Sequence, residues 1–389
     1  MLRMAVGHSA EVDAERAVEE ILASCERDLG ESRPRAGLLF STQDTDHSVA
    51  VSRIRERYPN VQLIGSSSAG EMSSVLGYQE DSITLALFAS DDIDLTVGLG
   101  TPLADDPVAA VRAAVGAAQG GTDQEPRLCI TTPSFRSVAP ASLLGLLQDE
   151  LGSNVPILGG GAAAVFGDPN TKSFQFCNDV ITEDGVPILL LSGPLAYAFG
   201  VDTGWKPVGP TARVTKASSR AVHEIDGVPA LEFYERYLGS GIEPAFANPL
   251  AVFEEDSDRF YLRAPTTHDA ATGSIGFPGG VPEGALVQLT LAATDEIFEG
   301  TEAAVSKAIQ DYPEGSTPEA ALVFSCAIRK FLLGTRTGTE LKMIRERLGP
   351  AVPVFGFYCF GEIAPVAPTT PARFHNETIV ALVMGSAEA

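Results

Sequence analysis

Apolar residues along the chain fall into two alternating kinds of segment. One kind is short and continuous: MAVGHS from Met4, AGLLFS from Ala36, SITLALFA from Ser82 and RLCITT from Arg127. The other is periodic at helical spacing. In AERAVEEILASCERDL, residues Val18, Ile21, Leu22, Cys25 and Leu29 recur at i, i+3, i+4, i+7 and i+11, one stripe of an amphipathic helix. AAVRAAVGAA and TEAAVSKAIQDY have the same character. Strands that read as continuous apolar runs are covered on both faces. Their alternation with helices predicts an α/β protein whose sheets carry helices as a cover.

The alternation repeats. IRERYPNVQLIG from Ile54, LLQDELGSNVPILG from Leu146 and IRERLGPAVPVFG from Ile344 each run from a helical pattern through a polar turn into an apolar strand that reaches a glycine: Gly65, Gly159 and Gly356. Upstream, MAVGHS, LTVGLG and LTLAAT each precede, by one helical segment, the runs AGLLFS, RLCITT and AALVFS. Downstream, Glu80 and Asp81 precede SITLALFA, Glu183 and Asp184 precede VPILLLSG, and Asn376 and Glu377 precede TIVALVMG. Each unit thus reads strand, helix, strand, helix, strand, variable loop, strand. The units span about 3–90, 94–193 and 286–386. A final strand returning antiparallel makes the sheets mixed. Residues 195–285 do not fit the pattern. They hold a helix candidate, DGVPALEFYERYL, and a Gly-, Pro- and Thr-rich tract from Thr266 to Gly284, and are a decayed fourth unit or an inserted connection. Two domains are expected: 1–215 with two units, and 216–389 with the divergent segment and the third unit.

Charge narrows the partners. With 27 basic and 51 acidic residues the formal charge is −24, which disfavours nucleic acid and anionic membrane surfaces. The five cysteines, Cys25, Cys129, Cys177, Cys326 and Cys359, form no CxxC or Cys/His cluster, which argues for a reducing compartment and against structural zinc. The opening residues MLRMAVGHSAEVDAER lack the apolar core of a signal peptide, and no run has the length of a membrane span, so a cytoplasmic location is expected.

LIGSSSAGEM (63–72), VHEIDGVPALEFYERYLG (222–239), GFYCFGEIAP (356–365) and FHNETIVAL (374–382), in that order over nearly the whole chain, resemble the FIST family, a FIST N domain followed by a FIST C domain. The resemblance implies an intracellular sensory module of signal transduction that binds small ligands such as amino acids. Some bacterial members are similar to haem-containing nitric oxide sensors that regulate histidine kinases. Two positions depart from the family pattern: Ser66 stands where cysteine is common, and Cys359 where Thr or Ser is usual.

In open α/β sheets, ligands bind where loops leave the carboxyl ends of strands. That selects the loops after each third strand, SSSAGEM, GGAAAVF and FYCFGEI. The candidate ligand-binding residues are Gly65, Ser66, Ser67, Gly70 and Glu71 in the first, and Phe357, Tyr358, Cys359, Gly361 and Glu362 in the third. Glu71 and Glu362 suit an ammonium group or, alternatively, cap backbone amides. The aromatics suit a pocket wall or a core. Arg329 is a candidate partner for a ligand carboxylate. A carboxylate beside Cys359 raises its pKa and argues against a nucleophilic thiol. GGGAAAVFG (159–167), with Asp179 beyond it, approaches a dinucleotide fingerprint, but GDPN (167–170) breaks any following helix. GSSSAG mimics a nucleophile elbow without its final glycine and helix. His375 is the candidate haem ligand, and no histidine cluster suggests another metal. The expectation is a non-catalytic sensory module without a cofactor, acting through a protein partner such as a histidine kinase. The alternatives are a haem-based nitric oxide sensor and an enzyme of unknown reaction.

Overall fold

The computed structural model describes residues 1–164, 171–239, 246–254, 257–368 and 370–387. Among the described residues, three six-stranded mixed sheets and one eight-stranded sheet carry the strands. The first unit orders its strands Arg3–Ser9, Ile83–Ala89, Ala36–Thr42 and Gln62–Ser68 across the sheet. The second and third strands pair in parallel, and the last strand returns antiparallel between the first and second. The second unit repeats this with Asp94–Gly100, Val186–Ser192, Pro126–Thr131 and Ile157–Gly160, and the third with Leu195–Asp202, Ile379–Ser386, Ala320–Cys326 and Val354–Cys359.

Each sheet is completed by a hairpin from another unit. Glu71–Ser73 and Gly77–Gln79 of the first unit extend the third unit's sheet, pairing with Val354–Cys359. The hairpin Glu362–Pro365 and Ala372–His375 of the third unit extends the second sheet, and Gln175–Cys177 with Val180–Thr182 of the second extends the first. The exchange closes in a ring, so no unit completes its own sheet.

The inner faces of the three sheets share one core that includes Phe40, Leu128, Leu158, Phe355, Phe357 and Leu382. The outer face of each sheet packs on its own helices: Ala14–Leu29 and His47–Arg57, Pro107–Gln119 and Pro140–Leu151, Thr294–Gln310 and Thr337–Leu348. Burial on both faces is why the strands read as continuous apolar runs. In Ala14–Leu29 the stripe residues Val18, Ile21, Leu22, Cys25 and Leu29 are all buried, and Asp13 caps the helix by accepting from the Arg16 amide. Asp46 and Asp106 cap their helices in the same way.

The third unit begins earlier than its sequence suggests. Leu286–Leu291, expected as its first strand, pairs instead with Lys206–Ser218 and Leu250–Phe253 in the eight-stranded sheet. Leu195–Asp202 takes the first-strand place along Ile379–Ser386. Residues 203–293 are therefore an insertion between the first strand of the third unit and its helix. The expected domain boundary at 215/216 falls inside the strand Lys206–Ser218. The insertion has its own core, with Val214, Val222, Phe233, Tyr234, Leu250 and Phe277, and its helix Ala230–Leu238 lies where the helical pattern placed one.

Gly7, Gly98 and Gly200, one in each first strand, explain how tightly helix and sheet approach. A Cβ on any of them would overlap a helix carbonyl oxygen, that of Ile21, Ala114 or Ala304 respectively.

Candidate functional site

The ends of the three third strands are related residue by residue. Gly65 pairs with Phe176, Gly159 with Ile363 and Gly356 with Met72. A Cβ on Gly65, Gly159 or Gly356 would overlap the carbonyl of Leu39, Thr131 or Val323 in the parallel neighbour, so these glycines are architectural. One residue further, Ser66 faces Gln175, Gly160 faces Glu362 and Phe357 faces Glu71. The two repeated glutamates thus have a third counterpart, Gln175. Sequence comparison missed it because a longer loop separates it from its glycine.

These three side chains are buried beneath the loops. Ser68 and Ser82 donate to opposite oxygens of Glu71. Glu362 accepts from the amide and hydroxyl of Thr378 at 3.1 and 2.7 Å, with the Cys359 thiol 3.4 Å from its other oxygen. Gln175 accepts from the Gly185 amide at 3.1 Å, and its Nε2 has no partner among the described residues. Burial pushes both carboxyls up to about 7, against the pull of these donors.

The candidate residues separate on this frame. Phe357 faces the shared core, stacked on Phe40 at 3.9 Å between ring centroids. Tyr358 points to the opposite face and donates to Glu340 at 2.7 Å. Arg329 is fully buried beside it. It bonds Glu340 at 2.7 Å, the carbonyls of Thr203 and Ile297, and Thr301 Oγ1, so its donors are occupied within the protein rather than presented to a ligand carboxylate. Burial alone would raise the Glu340 pKa; the Arg329 charge and these bonds hold it below the usual carboxylate range. Ser67 ties the first loop to the second, donating to the Ala163 carbonyl at 2.6 Å and accepting from the Phe174 amide at 2.8 Å. Ser66 Oγ is buried without a partner among the described residues. Gly70 takes φ +135° against Tyr78.

Cys359 and Gly361 do come together, at a cavity of about 390 Å³. It lies where three parts of the chain meet: Phe135 and Arg136 of the second unit, Cys326, Cys359, Phe360 and Phe374 of the third, and Ala264 and Thr266 of the insertion. Its lining is predominantly apolar, with polar atoms from Asn376, Ser173 and Thr171. Gly361 has φ +93°, and a Cβ there would strike the Phe374 ring, so a glycine is required. Cys326 and Cys359 are register partners on adjacent parallel strands. Burial, then the Glu362 charge, pushes both thiols well above their ordinary pKa, so they stay protonated.

A further buried carboxyl lies in this region. Glu377, in a left-handed conformation at φ 52°, has both carboxyl oxygens without a partner among the described residues. Burial, then Glu362, raises its pKa well above the usual range. Its signal in the sequence is the polar pair that precedes each last strand. His375 is buried, with Nε2 2.9 Å from the Ala364 carbonyl, and burial lowers its pKa to about 4. Among the described residues no group of three or more His, Cys, Asp or Glu is placed to hold a metal ion. Neither glycine-rich lookalike enters a helix within the described residues: Ser68 leads into the hairpin strand Glu71–Ser73, and residues 161–164 are irregular. GDPN at 167–170 lies outside the described residues.

The FIST N domain model matches residues 35–228 and the FIST C domain model residues 230–365. The chain belongs to the FIST family, whose domains are sensory modules of signal transduction. It is 27% identical over 393 aligned residues to an uncharacterised protein of Mycobacterium tuberculosis (strain H37Rv), covering 94% of this chain and 96% of that one. It is 27% identical to an uncharacterised protein of Methanocaldococcus jannaschii, over 48% of this chain and 36% of that one. Among solved structures, cyanuric acid hydrolase from A. caulinodans aligns over 100% of both chains at TM-score 0.36 and 11% identity. A chorismatase aligns over 99% and 98% at TM-score 0.36 and 10% identity. Likeness at that level carries no argument about what this chain does. No helix among the described residues is long and apolar enough to cross a membrane.

Proposed function

We propose that the protein is a non-catalytic sensory module that binds a small ligand, an amino acid or related metabolite, in the cavity beside Cys359 and Gly361 and signals through a protein partner such as a histidine kinase. The observation that carries this reading is the cavity's position: about 390 Å³ lined by the second unit, the third unit and the insertion at once. A ligand there would touch all three parts, and a difference in contacts between two arrangements of those parts is what lets a ligand shift an equilibrium. Protonated, buried thiols support binding over nucleophilic chemistry. The reading includes no resident cofactor. With Nε2 at the Ala364 carbonyl, His375 has Nδ1 as its remaining ring nitrogen for a haem iron.

A thermal-shift screen over amino acids and related metabolites tests it. A ligand at a hundredfold its Kd adds about 2.7 kcal/mol to stability. Thr266 is exposed at the cavity's edge, and Thr266→Trp should abolish the shift while leaving the unliganded melting temperature close to wild type. A screen in which no compound shifts the wild type, or one whose hit shifts Thr266→Trp equally, rejects this cavity as the sensor site.

A further inference from the structure

A second recess, about 720 Å³, lies in the seam between the insertion and the helix Pro140–Leu151 and shares Phe374 with that cavity. Its cations are unusual for a chain of net charge −24. Arg263 and Arg373 each hold the guanidinium carbon 4.3 Å from the centroid of the Tyr261 ring. Arg263 is 4% exposed. Its Nε donates to the carbonyls of Gly279 and Gly280, and its Nη1 to those of Leu262 and Phe374. Among the described residues its Nη2 has no bond, and no carboxylate forms an ion pair with it. Arg329, equally buried, has Glu340 for that purpose. Burial, opposed in part by Tyr261 and Glu377, lowers the Arg263 pKa to about 10, which leaves it charged at neutral pH.

The helix that forms the opposite wall starts uncapped. Ala139 stands at its N-cap with no side-chain bond, Pro140 follows, and Ala141 and Ser142 of the first turn line the recess. A helix N-terminus favours an anion through its first amides and the helix dipole. Arg373 gives one nitrogen to Glu254 at 3.1 Å. The acidic side chain lining the recess, Glu283, is engaged by the Ala217 amide at 3.1 Å.

We propose that this recess is an oxyanion site: it takes the phosphate or carboxylate group of a small molecule, with Arg263 and Arg373 as its cations and the first turn of the helix Pro140–Leu151 beside them. It borders the cavity of the proposed sensor at Phe374 but does not depend on that reading. Because one wall is the insertion and the other a helix of the second unit, the anion bridges two parts of the chain.

Calorimetric titration of the full chain with inorganic phosphate and with malonate, at ionic strength matched with chloride, tests the site. Gly145 lines the recess on an exposed helix face with open space around its position. Gly145→Glu therefore places a carboxylate there without a clash, and Gly145→Ala controls for the added side chain. Saturable binding is expected in the wild type and Gly145→Ala, at least tenfold weaker binding in Arg373→Gln, and none in Gly145→Glu. Stronger binding of phosphate than of malonate assigns a phosphate ligand, and the reverse a carboxylate. Neither anion binding above chloride, or equal affinity in wild type and Gly145→Glu, overturns the proposal; melting temperatures in chloride confirm that the variants are folded.

Discussion

Glu71 offers a quantitative handle because the protein contains its own control. In the second unit the equivalent position is Gln175, an amide of the same shape in the same register. Glu71→Gln therefore converts one unit to a chemistry the fold already accommodates. Burial lifts the Glu71 carboxyl from 4.5 to about 7. Between those values the folded chain holds a proton that the unfolded chain has released, so stability is highest below pH 4.5 and falls as pH rises towards 7. At 1.36 kcal/mol per pK unit the loss at this site is about 3 kcal/mol, complete above pH 7. The substitution removes that loss. Urea unfolding of wild type and Glu71→Gln across pH 4.5 to 8.5 should show the variant gaining on the wild type by about 3 kcal/mol over the range. Its offset at low pH reports the exchanged bonds with Ser68 and Ser82, on the order of 1 kcal/mol. Parallel stability curves would refute the assignment of a buried, largely protonated carboxyl.

Arg329→Met should cost about 3 to 5 kcal/mol by leaving Glu340 buried and uncompensated, and adding Glu340→Leu should recover much of it; equal losses in single and double variants by urea unfolding would contradict the pairing. Gly361→Ala combines a strained φ of +93° with a collision against Phe374 and should cost about 3 kcal/mol, read as a lower urea midpoint at unchanged slope. Phe357→Ala, in the shared core of all three sheets, should cost about 3 to 5 kcal/mol, whereas a pocket-wall residue would lose ligand affinity with little change in stability.

The repeated units were legible because strands covered on both faces leave unbroken apolar runs, and because the glycines at 65, 159 and 356 mark a backbone approach the fold needs three times. The first strand of the third unit was missed for a local reason. LVQLTL at 286–291 resembles a strand, and is one, but its exposed Leu286 and Leu291 and half-buried Gln288 suit a sheet with one wet face. The better signal was Gly200, which in LAYAFGVD stands as Gly7 does in MAVGHS and Gly98 in LTVGLG. The ring of exchanged hairpins leaves no periodic trace, because periodicity reports which face of a strand is buried and not which neighbour it joins. At the site, the loop that the sequence singled out contributes Cys359 and Gly361 to the lining of the cavity. It could not show that Phe357 and Tyr358, as neighbours on a strand, point to opposite faces, nor that Arg329 is enclosed by Glu340 and Thr301.

The closed hairpin ring also has a consequence in time. The second sheet presents the bare edge of Ile157–Gly160 until residues 362–375 have been made, and Leu195–Asp202 waits for Ile379–Ser386 before it has a strand beside it. At about 5 to 20 residues per second, a nascent chain carries these open edges for tens of seconds or less, during which they can template the wrong partner. The N-terminal two units are thus not a module that can mature ahead of the rest, and a chain interrupted before its last hairpin should be recognised as unfinished by the cell's quality control.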